Sequence, residues 1–222
     1  METVKLFLQL QASVFGVDMG PMPQSLAESE YFKFHQTDLR ETSAAAEVVA
    51  SCKAAFGGRI DALLNIAGVA DLNSSIDTLD EATWNRVIAV NLTAPVMLSK
   101  AVIGTMVTQG SGTITNVASK AGLSGSVSGV AYTASKHGLV SSCPSCCGPA
   151  EAKESYKVGA TKNIAFRFRR HGIRCNAICP GGECTRGGMS FTIRLTRLAV
   201  ATNIRKSVDE TNFDREAVKL IS

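Results

Sequence analysis

Tyr132 and Lys136 stand four residues apart, a spacing that puts two side chains one turn apart on a single helix face. The pair suits proton transfer. A free tyrosine titrates near pH ~10, and an adjacent ammonium favours the phenolate and lowers that value. Such a phenol can exchange a proton with a substrate hydroxyl or carbonyl near neutral pH. Ser119 lies thirteen residues upstream, at the carboxyl end of a predicted strand, where it can hydrogen-bond the same oxygen. Ligands of open α/β sheets gather at those strand ends. A Tyr-x-x-x-Lys by itself fits a solvated helix face equally well; the upstream serine closing a strand is what gives it weight.

The elements that must position these residues follow from periodicity. Short apolar runs at 12–18, 31–39, 60–68, 112–119 and 173–180 read as strands. Between them lie helical patterns at 43–56, rich in alanine and ended by Gly57-Gly58, at 83–107, and from near Tyr132. Pro95 inside the 83–107 pattern predicts a kink or a division into two pieces. Alternation of this kind predicts an α/β fold, a parallel sheet covered by helices on both faces.

Two segments do not fit the alternation. Residues 141–158 interrupt what otherwise reads as one amphipathic helix, and Pro144, Gly148 and Pro149 must break it. Residues 183–201 follow the last predicted strand without clear periodicity. Cys143, Cys146 and Cys147 resemble half of a zinc site, but a closed site needs a fourth ligand and no nearby His or Cys has ligand spacing. No metal is expected.

The totals narrow the class. At 222 residues the chain can enclose one sizeable core, and 45% hydrophobic content is ordinary for a globular protein. No uninterrupted apolar run reaches the roughly 18 residues of a membrane span. The apolar start carries Glu2 and no basic cluster, so it reads as core rather than as a secretory signal. Residues 1–140 hold nine Lys and Arg against twelve acids, and residues 141–222 hold fourteen against seven. The basic charges of the second part are scattered and aromatics are few, so a nucleic-acid partner is not expected. Seven cysteines without a secretory signal suit a reduced, cytoplasmic chain.

The order of the motifs carries further. Asn65-Ile66-Ala67-Gly68 ends a strand, Asn91 follows in the next helix, Ser119 ends the next strand, and then come Tyr132-Thr-Ala-Ser-Lys136 and Pro180-Gly181-Gly182. Over residues 12–182 this pattern resembles the short-chain dehydrogenase/reductase family. The resemblance implies a single Rossmann-like, doubly wound domain and hydride transfer between NAD(P) and a small secondary alcohol or ketone. Tyr132 would be the general acid/base. Lys136 would tune the phenol and bind the nicotinamide ribose, Ser119 would orient the substrate oxygen, and Asn91 would hold a water of the proton relay. Asn65, Ala67 and Gly68 would pass beneath the cofactor, and Pro180-Gly181 would lie beside the nicotinamide. Asp18 would accept from the adenosine ribose hydroxyls, which favours NAD over NADP. Asp38 and Leu39 would flank the adenine, and Thr185 falls where a hydroxyl meets the carboxamide.

The departures are equally specific. The family's first strand and its TG-x-x-x-G-x-G turn, which holds the pyrophosphate, have no counterpart here; the chain begins inside what reads as the following helix. Loss of that central strand predicts unpaired edges on its neighbours. The family also forms homo-oligomers through the 83–107 helix and the Tyr132 helix, and the 141–158 insertion threatens that assembly. The alternative to an enzyme is a catalytically inactive relative or a truncated, mis-spliced fragment.

Overall fold

The computed structural model describes residues 2–140, 159–181 and 198–202. These residues build one six-stranded sheet with strands β1 (Ser13–Asp18), β2 (Phe32–Gln36), β3 (Ala62–Asn65), β4 (Gly112–Val117), β5 (Ile173–Ile178) and β6 (Leu198–Thr202). The spatial order is β2-β1-β6-β3-β4-β5. The first five strands are the five predicted apolar runs, trimmed at their ends. All pairs among them are parallel.

The predicted unpaired edges do not occur. β6 runs antiparallel between β1 and β3, with Val200 opposite both Phe15 and Leu63. The sheet is therefore mixed rather than wholly parallel. The doubly wound order 3-2-1-4-5-6 is kept in space, with β6 in the place of the first strand. Two facing rows of free backbone N–H and C=O groups are a strong template for an apolar segment. That explains why a stretch inside the aperiodic 183–201 segment becomes strand.

Each inner strand resolves its continuous apolar run into two faces. Phe15, Val17, Leu63 and Ile114 join a core with helices α2 (Ala44–Ala55), α4 (Ala94–Gln109) and α6 (Ala160–Phe168). Val14, Ala62, Leu64 and Val117 face the other way, where Val4 and Phe7 of α1 (Glu2–Gln9) cover them. The N-terminal stretch is thus a core helix, as its sequence predicts. At the end of α4, Gly110 takes a left-handed conformation, φ 69°, and closes the helix.

The long 83–107 pattern is divided, but not by a proline break. α3 (Glu81–Ile88) is capped by Asp80, whose side chain accepts from the Thr83 amide. A π-helical turn, Ala89–Thr93, then leads into α4, where the Ala94 amide bonds the Ala89 carbonyl and Pro95 sits in the first turn. Pro is at home there because first-turn amides have no intrahelical partner. Taken together, Glu81–Gln109 is the one helix among the described residues long and apolar enough to cross a membrane by length and composition. Asn91 and Lys100 interrupt its apolar run. Here Val87, Leu98, Val102 and Met106 are buried within the fold.

α5 (Val130–Val140) carries the Tyr-Lys pair. The 141–158 insertion lies outside the described residues, but its two flanks meet: the Thr161 hydroxyl at the start of α6 donates to the Leu139 carbonyl at the end of α5, 2.6 Å.

Candidate active site

The site forms where β3, β4 and β5 end. Ser119 follows β4 in extended backbone and receives the Ala121 amide on its Oγ, 3.1 Å, which fixes the chain as it turns away. Its hydroxyl also lies close enough to the Tyr132 phenol to favour the ionised form. On the same face of α5, the Lys136 ammonium lies 5.5 Å from the Tyr132 ring centroid and donates to the Val117 carbonyl, 2.9 Å. The three side chains predicted from spacing do converge.

Their electrostatics differ from expectation. Burial pushes the Tyr132 phenol above its usual value, opposed by the Ser119 hydroxyl and reinforced by the Asp71 carboxylate. The Lys136 ammonium, expected to lower it, donates to the Val117 carbonyl. Burial also draws Lys136 down to about 8, with Cys179 acting the other way. At neutral pH the phenol is protonated, the form that donates to a carbonyl oxygen.

Asn91, in the π turn, is fully buried. Its Oδ1 accepts from the Val69 amide, 2.8 Å, while its Nδ2 donates to the Val69 carbonyl, 2.9 Å, and to Ser135 Oγ, 3.2 Å. The side chain therefore bridges the loop after β3 to α5. Gly68 lies between this amide and the lysine: a Cβ there would stand 3.5 Å from Asn91 Oδ1 and 3.6 Å from Lys136 Nζ. Ala67 adjoins it, half-buried. Asn65 points elsewhere. Its Nδ2 donates to Asn116 Oδ1, 2.7 Å, on the neighbouring strand, and its Oδ1 is buried without a hydrogen-bond partner. Pro180 accepts the Lys120 amide, 3.0 Å, and Gly181 leaves room for the Lys120 stem, which a Cβ would meet at 2.7 Å.

At the adenosine side, Asp18 is buried at the end of β1 and accepts the Gly20 amide, 2.8 Å. Asp38 is engaged by Arg40, whose Nε lies 2.9 Å from Oδ2, and this pairing holds its carboxyl below the usual range. Its acceptor is thus shared rather than free. Leu39 packs against the core on the α2 side. Thr185 and the Cys143, Cys146, Cys147 cluster lie outside the described residues.

Comparison with known proteins bears on the same residues. Residues 1–147 match the short chain dehydrogenase family. The chain is 49% identical over 211 residues to short chain dehydrogenase ausX of Aspergillus calidoustus, covering 95% of this chain and 69% of that one. The chain belongs to the short-chain dehydrogenase/reductase family.

Solved structures of the family agree in fold. One described as a 3-oxoacyl-reductase from Bacillus thuringiensis superposes with a TM-score of 0.68 at 26% identity, covering 85% of this chain and 74% of that one. Another, described as an NAD(P)-dependent gluconate 5-dehydrogenase from Beutenbergia cavernae and solved with NADP bound, gives a TM-score of 0.55 at 28% identity, covering 70% of this chain and 54% of that one. By ancestry the chain is a short-chain dehydrogenase/reductase oxidoreductase, and the family implies NAD(P) and a small-molecule substrate.

The residues fit such a cofactor at its two ends. Gly68, between Asn91 and Lys136, leaves open the space a Cβ would occupy, and Asp18 closes β1 with a carboxylate. Between them, where the family's phosphate-holding turn would follow a parallel strand, the described residues place antiparallel β6.

Sequence reasoning missed three site-supporting residues. Asn116 and Thr161 extend the Asn65 contact: Asn116 Nδ2 donates to Thr161 Oγ1, 2.9 Å, tying β3 and β4 to α6. The third is Asp71, fully buried beside α5. A polar residue inside an apolar strand, as Asn116 is, gives a usable signal; a turn aspartate gives none.

Proposed function

We propose that this chain is an NAD(P)-dependent oxidoreductase that moves a hydride between the nicotinamide and a secondary alcohol or ketone. The observation that carries the reading is the buried Lys136 ammonium lying 5.5 Å from the Tyr132 ring centroid, with Ser119 closing the neighbouring strand. The nicotinamide cofactor, when bound, supplies or accepts the hydride. Tyr132 exchanges the proton at the substrate oxygen. Ser119 holds that oxygen in line, and Lys136, whose ammonium lies 5.5 Å from the Tyr132 ring centroid, anchors the ribose. Asn91 and Gly68 shape the floor beside the ammonium.

NAD is the preferred form. A carboxylate at Asp18 accepts ribose hydroxyls and repels a 2′-phosphate. The test is a thermal-shift titration with each nucleotide, followed by turnover of a panel of secondary alcohols and ketones. NAD raises the melting temperature by mass action and does so more than NADP. Tyr132→Phe keeps the NAD shift and loses about 10²–10⁴-fold in turnover. Equal turnover in that variant defeats the role given to Tyr132, and no shift with either nucleotide defeats the cofactor assignment.

A further inference from the structure

Asp71 has a carboxylate with no solvent exposure, and none of the ion pairs among the described residues includes it. A buried carboxylate is tolerated when N–H groups surround it. Here Oδ2 accepts the Tyr132 amide, 2.9 Å, and Oδ1 accepts the Asn73 amide, 3.2 Å. Tyr132 lies in the first turn of α5, where amides have no intrahelical acceptor and the helix dipole favours negative charge.

Three further features aim this carboxylate. Residues 71–74 close a tight turn, with the Ser74 amide on the Asp71 carbonyl, 3.2 Å, and with Leu72 and Asn73 both left-handed, φ 57° and 59°. A leucine in that conformation costs about 1 kcal/mol, and Leu72 is 90% exposed, so its own side chain contributes little packing to offset the strain. Such strain persists where surrounding contacts fix the backbone. Two contacts do so here: the Val130 amide donates to the Ser74 carbonyl, 3.0 Å, and Ser128 Oγ to Asn73 Oδ1, 3.2 Å. Gly129 completes the arrangement, since a Cβ there would stand 2.5 Å from Asp71 Oδ2.

We propose that Asp71 is a positioning residue for Tyr132: the 71–74 turn fastens the first turn of α5 through the tyrosine's own amide and keeps a negative charge beside the phenol. The charge works against the phenolate, together with burial, while Ser119 works for it. The groups facing the phenol are Asp71 from the loop after β3, Ser119 from the end of β4, and Lys136 from α5 itself. Cys179, after β5, acts on Lys136, and Arg86 of α3 reaches the Ala70 carbonyl at 3.2 Å.

The proposal rests on Tyr132 as the proton-transfer group, so the experiment reads the phenol without requiring turnover. Full-length protein labelled at the tyrosine ring carbon bearing oxygen is titrated by NMR, with Tyr132→Phe assigning the signal. Asp71→Asn keeps an oxygen acceptor for the Tyr132 amide and removes the charge. Its Tyr132 midpoint moves to lower pH, while amide exchange at Tyr132 stays near the wild-type rate. Asp71→Ala loses the acceptor too, and exchange at that amide accelerates about fivefold, the equivalent of a lost helix cap. Gly129→Ala, which displaces the carboxylate from outside, lowers the midpoint as well and serves if neither Asp71 variant folds. A midpoint in Asp71→Asn equal to the wild type, or unchanged in Gly129→Ala, overturns the proposal. Absent turnover in the wild type with these shifts intact would count against the enzymatic reading alone.

Discussion

The two ends of the cofactor cleft are built in opposite ways. At the nicotinamide end the holding contacts cross between elements: the Tyr132 amide reaches Asp71 and Asn91 reaches Val69, both in the loop after β3, and Lys136 reaches Val117 of β4. At the other end Asp18 accepts the Gly20 amide and Asp38 the Arg40 amide, two residues away in each case. Between the ends, a strand from far along the chain fills the sheet. Proton-transfer geometry depends on several elements meeting, whereas ribose recognition needs one carboxylate at a strand end.

The sharpest way to break this comparison is at β6. Val200→Pro removes an amide from a strand paired on both sides. Stability to urea should fall by on the order of 3 kcal/mol; an unchanged unfolding curve would mean the slot does not depend on this strand. Next in size is the lysine. Lys136 is brought from 10.5 to about 8 by burial, so its charge opposes folding fully below pH 8 and no longer above pH 10.5. The unfolded chain binds the extra proton between those values, so stability rises with pH there. Wild type should gain up to about 3 kcal/mol relative to Lys136→Met across that window, read by chemical unfolding at several pH values; parallel curves for the two proteins would refute it.

A smaller effect tests the support beneath the site. Asn116→Leu removes the 2.7 Å acceptor of the Asn65 amide, leaving it only the Pro95 carbonyl at 3.5 Å, and should cost about 1–3 kcal/mol. Retention of full stability would show that the Asn65–Asn116–Thr161 chain is incidental. The smallest is at Leu72, where Gly relieves the left-handed backbone. A change in melting temperature of at most a few degrees upward is expected; a marked loss would show that the exposed leucine has a packing role.

What was legible in the sequence follows the same division. The five parallel strands and the Ser119, Tyr132 and Lys136 group could be read because they rest on local period and short spacing. β6 could not, since an antiparallel strand entering a vacant slot is dictated by edges formed elsewhere. Asp71 resembles any turn acid until the fold buries it beneath α5. The sign of the Tyr132 shift was also out of reach. Spacing brings an ammonium near a phenol, but burial depth and the aim of Lys136 decide the balance, and both are tertiary properties.

The contact between Thr161 and Leu139 has a consequence for how this fold accepts change. Setting aside the eighteen residues 141–158, Thr161 stands four positions after Leu139, where a helical threonine ordinarily returns its hydroxyl to the backbone. That bond ties the end of α5 to the start of α6 across the interruption, although Gly159 before α6 is extended rather than helical. Inserted length at this point acts as a parenthesis: Tyr132 and Lys136 stand seven and three residues before Leu139, on the α5 side of the tie.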